Sequence, residues 1–365
     1  MNVNNALMIE SETPFMVIDE DQTRINIKNM QKIADSNNKH LRPHSKTHKI
    51  PEIASWQISE GASGVCVQKV SEAEVMFNGG INNILISNEI VDRRKTDRIA
   101  KLASQGCNIS VAVDSLYGAK RLSESSIYHS TRIDVLLDID AGMHRCGIPI
   151  SNMESFNNSL KNMSGINVAG WMVYDGQIHN PVSMEREKDV EIESVKLRSL
   201  ANSLKNKMNQ SIISVGGTPT AYIWSKYDFV NELQPGTYVY YDMHCNAMNL
   251  CSISDISMGI VSQVMSKSQD PEERVVLDAG YKSISLDQGV YPTIITEDGK
   301  MGNVTGMSEE HTVVNSKNLD LNIGDRVVML PYHACTTTDF WDRAWLLSKS
   351  HNPRTVSVEG RGKRE

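Results

Sequence analysis

The sequence has no excess of basic charge: 37 Lys and Arg stand against 44 Asp and Glu, a formal net charge of −7. That argues against nucleic acid or an anionic membrane as the main partner, since both select for a basic surface. No uninterrupted apolar run is long enough to span a bilayer, and residues 1–15 lack the basic and apolar regions of a secretory signal. The expectation is therefore a cytoplasmic protein with no membrane partner. The six cysteines (Cys66, Cys107, Cys146, Cys245, Cys251, Cys335) form no CxxC pair, so neither a disulfide framework nor a four-thiolate zinc site is indicated. Also missing are the GxGxxG and GxxxxGK[ST] patterns of dinucleotide and P-loop sites, any repeat of solenoid length and any low-complexity tract. What is present is an ordinary globular composition, 40 % hydrophobic over 365 residues, enough for two domains or one large barrel with an appendage.

From about residue 15 to 245, short apolar runs alternate with longer amphipathic ones. The short runs read as strands at 39–44, 64–68, 83–87, 108–113, 132–140, 167–174, 211–217 and 228–236. Segments between them, such as 71–80 and 184–208, carry apolar residues at helical spacing on a charged background. Eight such units fit a closed (β/α)8 TIM-type barrel, with an open doubly wound sheet as the competing α/β architecture. After about residue 245 the texture changes to strand-like segments (256–267, 273–286, 324–338, 354–362) separated by Gly, Asp, Pro and Asn turns, so residues 246–365 read as a mainly-β domain.

In a parallel barrel the chemistry gathers at the carboxyl ends of the strands. Those ends carry Lys46, Gln68, Arg145, Tyr174 and the pair Gly216–Gly217, the last followed by Thr218. The stretch "LRPHSKTHKIPEIA" (41–54) surrounds Lys46 with Arg42, His44, His48 and Lys49, and neighbouring cations disfavour a lysine's protonated form. A solvated basic loop is the plain alternative. "SVGGTPT" (214–220) would expose several backbone N–H groups in one concavity, a phosphate cradle, although an ordinary strand-to-helix turn also uses glycine. A nucleophilic lysine with a small phosphate site nearby is what pyridoxal phosphate requires. Arg145 would then pair with the cofactor's phenolate and Tyr174 pack beside its ring. Their plain alternatives are a loop salt bridge and a packing residue at the barrel rim. In "PYHACTTTDFWD" (331–342), His333 and Cys335 lie two apart, on one face if the segment is a strand, and suit adjacent ligands on one metal ion.

On the segments "TPFMVID", "RPHSKTHKIPEIA", "GVCVQKVSEAEV", "DIDAGMHRCGI", "VGGTPT", "LQPGTYVYYD", "LDAGYKSISLDQG" and "GDRVVMLPYHACTT", the chain resembles the D-threonine aldolase and D-serine dehydratase family of alanine-racemase-like pyridoxal phosphate enzymes. The resemblance spans nearly the whole length. It implies that Lys46 is the Schiff-base lysine, that a barrel carries the cofactor, and that residues 1–14 join the carboxyl-terminal β domain, with residues 13–19 leading into the barrel. It also implies a divalent metal on His333 and Cys335, a homodimer, and a small D-3-hydroxy amino acid as substrate. A thiolate at residue 335 favours zinc over manganese or magnesium, and resembles the dehydratases, where the aldolases tend to have aspartate. The expected reaction is therefore loss of the β-hydroxyl, giving a 2-keto acid and ammonia. Three alternatives stay open. One is retro-aldol cleavage to glycine and an aldehyde, with His179 in "YDGQIHN" as the candidate base or else a surface loop histidine. The others are a racemase and a non-catalytic cofactor carrier. Asp287 belongs to a family segment that approaches the active site, from a partner subunit in one reading, and His311 reads as a strand-edge histidine.

Overall fold

Strand-sized apolar runs leave backbone groups that must be paired, and a computed structural model describing residues 3–209, 211–268 and 273–365 shows how. Eight parallel strands lie in the order His40–Leu41, Glu232–Leu233, Ile212–Val215, Ile166–Val173, Ile133–Asp140, Asn108–Val113, Asn83–Ile86 and Val65–Val67. The ends of that order meet. Ser63 donates to the Leu41 carbonyl, Cys66 to Pro43 and Ser45 to Cys66, each at 2.8 Å, with a parallel bridge between His44 and Cys66. The barrel is thus closed, and the open doubly wound sheet is ruled out. All eight runs read from the sequence are strands, several trimmed by a residue or more at their ends. Cys66, Leu85, Ala112, Leu136, Ala169 and Met172 pack together across five neighbouring strands, small side chains alternating with large ones as a filled barrel requires.

Helices follow the strands where the chain supplies caps. Asp92 accepts the Arg94 N–H at the start of Arg93–Ser104, and Ser115 accepts the Gly118 N–H at the start of Leu116–Tyr128. The amphipathic segments at 71–80 and 184–208 correspond to the helices Val70–Asn78 and Ser183–Leu204.

By its contacts the chain divides into two compact units. The barrel unit comprises Lys28–Lys46, Pro51–Gly236 and Lys363–Glu365; the other comprises the amino-terminal residues through Ile27, Thr47–Ile50 and Thr237–Gly362. In the second unit Arg274–Leu277, Thr312–Asn315, Met301–Met307, Thr293–Ile295, Arg326–Leu330 and Met258–Lys267 form an antiparallel barrel, closed because the first also pairs with the last. Phe15–Asp19 extends this sheet, antiparallel to Met258–Lys267 and parallel to Arg343–Leu347. Phe15, Val17, Val261, Val328 and Leu347 share one apolar core.

Three of the expected strands stop short, and of the run at 354–362 only Arg354–Ser357 is extended. The run at 273–286 is extended only over Arg274–Leu277, and the run at 324–338 only over Arg326–Leu330. Pro331 cannot donate to the ladder, and the chain then turns into the helix Ala334–Thr338, whose Ala334 N–H donates to Asp242 Oδ2 at 3.0 Å. Asp242 lies 92 positions away in the sequence, so no local pattern announces it.

Candidate active site

Lys46 follows the first barrel strand in a turn over residues 45–48, not in an extended chain. His44, Lys46 and His48 therefore do not line up along one face, as they would in an extended chain. Instead the Lys46 N–H donates to His44 Nδ1 at 3.3 Å, and His44 Nε2 faces Ser87 Oγ at 3.1 Å and the Gln68 amide at 3.0 Å. The cationic fence around Lys46 also dissolves. Arg42 is buried in an ion pair with Glu232 at 2.9 Å and donates to Asn83 Oδ1 at 2.7 Å; burial opposes its charge, but Glu232 outweighs that and raises its pKa. Lys49 pairs with Asp339 at 2.9 Å.

What stands beside Lys46 is an aromatic ring. Lys46 Nζ lies 5.8 Å from the centroid of Tyr174 and the Arg145 guanidinium 5.0 Å from the same ring, both within cation–π range. Tyr174 comes directly after the strand Ile166–Val173, and Arg145 sits in the loop after Ile133–Asp140. That loop is shaped by Asp140, whose Oδ1 accepts the N–H groups of Gly142 and His144 at 2.9 and 3.0 Å. It closes at Gly147, where φ is +106° and a Cβ would fall 2.5 Å from the Asp140 nitrogen, so only glycine fits.

The glycine pair meets the same ring. A Cβ on Gly217 would stand 3.4 Å from Tyr174 Cε2, while Gly216, at φ +89°, lies against Trp224 and Thr220. Gly217 N–H donates to Thr220 Oγ1 at 3.2 Å and Gly216 N–H to the Val173 carbonyl at 3.3 Å, so the glycine pair does not present the exposed N–H groups expected of it; Thr218 follows half-buried. Lys46, Arg145, Tyr174 and Gly217 therefore share one end of the barrel, each at the carboxyl end of a strand. An amine, a ring wall, a guanidinium and a glycine-lined turn suit a flat phosphorylated aldehyde. His179 is exposed, its Nδ1 3.3 Å from its own loop's Gly176 carbonyl.

In the second unit His333 caps the helix that holds Cys335, so the two are joined by a helix start and not by one strand face. His333 Nδ1 meets Asp287 Oδ2 at 2.6 Å, and Asp287 also accepts from Thr336 Oγ1 at 2.9 Å and Ser285 Oγ at 2.9 Å. Burial works against its ionisation, but His333, Ser285 and Thr336 outweigh that and hold its carboxyl below the usual range. Burial likewise disfavours the His333 imidazolium, yet hydrogen bonds to Cys335 and Asp287 lift its pKa to about 10. Cys335 Sγ is 3.2 Å from Thr47 Oγ1 and 3.6 Å from Thr237 Oγ1. The hydroxyl of Tyr240 is buried near Cys335 with no hydrogen-bond partner among the described residues. An imidazole with one nitrogen anchored by a carboxylate, beside a thiol, is a donor set for zinc. Among the described residues no cluster of three or more ligating side chains occurs. His311 precedes the strand Thr312–Asn315 and is exposed.

Several site carboxylates escaped the sequence reading. Asp138, in the strand Ile133–Asp140, is pushed up to about 8 by burial and then by Glu89 and Asp114, against Arg145. Asp175 is fully buried and pushed up to about 6, with Trp224 and Thr220 pulling it back. Glu89 and Asp114 lie just past strand ends and Asp138 near one, the position rule that located Lys46 and Tyr174, and it would have found them too.

A model of the alanine racemase amino-terminal domain matches residues 18–244, and one of a putative serine dehydratase domain matches residues 257–347. The chain belongs to the D-threonine aldolase and D-serine dehydratase family. It is a pyridoxal phosphate-dependent lyase with the alanine-racemase-like fold. The lyase is 33 % identical over 308 residues to a D-threonine aldolase of Arthrobacter sp., covering 83 % of this chain and 80 % of that one. It is 27 % identical to a D-threo-3-hydroxyaspartate dehydratase of Delftia sp. (strain HT23), covering 90 % and 92 %. Among solved structures, D-threonine aldolase from Filomicrobium marinum superposes with a TM-score of 0.89 at 30 % identity, covering 97 % of each chain.

Proposed function

We propose that the lyase eliminates water from a D-3-hydroxy amino acid, giving a 2-keto acid and ammonia, with Lys46 as the cofactor's lysine and a divalent ion, zinc by preference over manganese or magnesium, on His333 and Cys335. The observation that carries this reading is the His333–Cys335 pair with Asp287 anchoring the far imidazole nitrogen. Bound pyridoxal phosphate supplies an electron sink that acidifies the substrate Cα–H, and a bound divalent ion supplies a Lewis acid for the departing hydroxyl. Lys46 Nζ, once free of the cofactor, takes the Cα proton. Arg145 and Tyr174 hold the ring's edge and flank, and Gly216, Gly217 and Thr218 hold the phosphate. The sulfur ligand favours elimination because it selects a strong Lewis acid, and hydroxide leaves poorly without one. No helix among the described residues is long and apolar enough to cross a membrane. The cytoplasmic location and the homodimer belong to this proposal.

Retro-aldol cleavage is the second reading, favoured by the similarity to the Arthrobacter D-threonine aldolase. It needs a base at the hydroxyl, and His179 is the candidate. The test is a product assay. Incubation with D-serine, D-threonine and D-3-hydroxyaspartate should release keto acid and ammonia in equal amounts. Glycine and aldehyde as the products would replace elimination by cleavage, and a change of configuration alone would make the chain a racemase.

A further inference from the structure

Directly after Tyr174 the chain buries a carboxylate that the chemistry above does not use. Asp175 is 2 % exposed, and its Oδ2 accepts the indole N–H of the fully buried Trp224 at 2.6 Å. The Thr220 hydroxyl is its other polar neighbour, and like Trp224 it favours the ionised carboxylate. That same hydroxyl oxygen accepts the Gly217 N–H at 3.2 Å. Beneath the glycine pair, a Cβ on Gly216 would come within 2.9 Å of Trp224 Cδ1 and 3.1 Å of Thr220 Oγ1. The two groups that Asp175 holds are therefore the floor on which the glycine turn rests. A carboxylate is a two-oxygen, acceptor-only group, so it can take an indole N–H and a hydroxyl at once and leave the hydroxyl's lone pairs for Gly217. Burying it is unfavourable unless its acceptors are satisfied, and Glu193 adds a like charge nearby.

We propose that Asp175 is the positioning residue of the phosphate-holding turn: through Trp224 and Thr220 it fixes the backbone of Gly216 and Gly217, and so sets the affinity for the cofactor's phosphate without touching the cofactor. The inference rests on the reading that this turn holds the phosphate and Lys46 the aldehyde carbon. It predicts a selective defect, because Lys46 and Tyr174 remain in place when the turn loosens.

The experiment titrates apoenzyme with pyridoxal phosphate and, separately, with pyridoxal, which forms the same bond to lysine but has no phosphate. Binding is read from the visible absorption of the lysine-bound cofactor, and folding from circular dichroism. Asp175→Ala should bind pyridoxal phosphate at least tenfold more weakly than wild type, with pyridoxal affinity changed less than twofold, and Asp175→Asn should recover part of the loss. Equal losses for both ligands, or no loss for either, would overturn the assignment. Should Asp175→Ala not fold, Trp224→Phe keeps the aromatic packing, and an unchanged phosphate preference in it would overturn the assignment as well. A wild type that does not prefer pyridoxal phosphate to pyridoxal would remove the phosphate turn itself, and this inference with it.

Discussion

Lys46 lies at a point where the chain turns, and the arginine and lysine of its stretch are neutralised elsewhere, Arg42 by Glu232 and Lys49 by Asp339. Lys46 stands instead beside the Tyr174 ring, whose face it shares with the Arg145 guanidinium. Lys46→Ala should abolish the visible absorption of bound cofactor and reduce turnover below detection; borohydride reduction followed by peptide mass mapping checks which residue carries the adduct. Asp138 offers a test in a different variable. Its folded pKa of about 8 lies above the value near 4 of an unfolded aspartate, so the folded state binds the proton more tightly. The stability it contributes is full below about pH 4 and is lost as pH rises through about 8. Asp138→Asn should therefore melt a few degrees above wild type at pH 8.5, with the difference shrinking towards pH 4 in thermal melts of the apoenzyme. A gap that widens towards acid pH would show that the carboxyl is ionised in the fold.

At the scale of strands and loops, Glu232 anchors a buried polar network in the barrel. Glu232 accepts from Arg42 at 2.9 Å and from Ser214 Oγ at 2.7 Å, and Ser214 accepts from the Gln234 amide at 2.7 Å. Removing one charge from a buried pair strands the other, at a cost of about 3–5 kcal/mol. Glu232→Gln should lower the urea midpoint accordingly, while Glu232→Asp keeps the charge and loses less. The strands themselves were legible because their apolar runs are continuous and bounded by turn residues, the pattern of a sheet buried on both faces. The path around His333 and Cys335 was not, because Asp242 sets the helix start from 92 positions away and Asp287 sets the imidazole from 46. Spacing in sequence showed that the two ligand types were neighbours. It did not show what kind of backbone made them so.

For the molecule as a whole, the residues proposed for the cofactor and those proposed for the metal fall in different compact units. The two kinds of binding should then be separable. Cys335→Ala should lose zinc and at least 100-fold in rate while retaining the cofactor's visible absorption; Lys46→Ala should lose the absorption and keep its zinc. Metal analysis and absorbance on the same two samples check this, and loss of both ligands from either variant would contradict it. Chelator treatment of wild type should likewise stop turnover and leave the colour. Family and architecture could be read from the chain because the motif segments are spread along nearly all of it. The partners of Asp175 and Asp287 could not, since which distant donors fold onto a carboxylate is not written in its own segment.

The tetrapeptide Thr47–Ile50 belongs to the second unit although it is flanked on both sides by barrel sequence, and the last residues, Lys363–Glu365, return to the barrel. No single cut in the gene can therefore yield two self-sufficient halves. A fragment ending near Gly236 would carry Lys49 without Asp339 and Thr47 without Cys335. Attempts to swap either half between relatives must transplant these four residues too, or inherit a mismatch one peptide bond from Lys46.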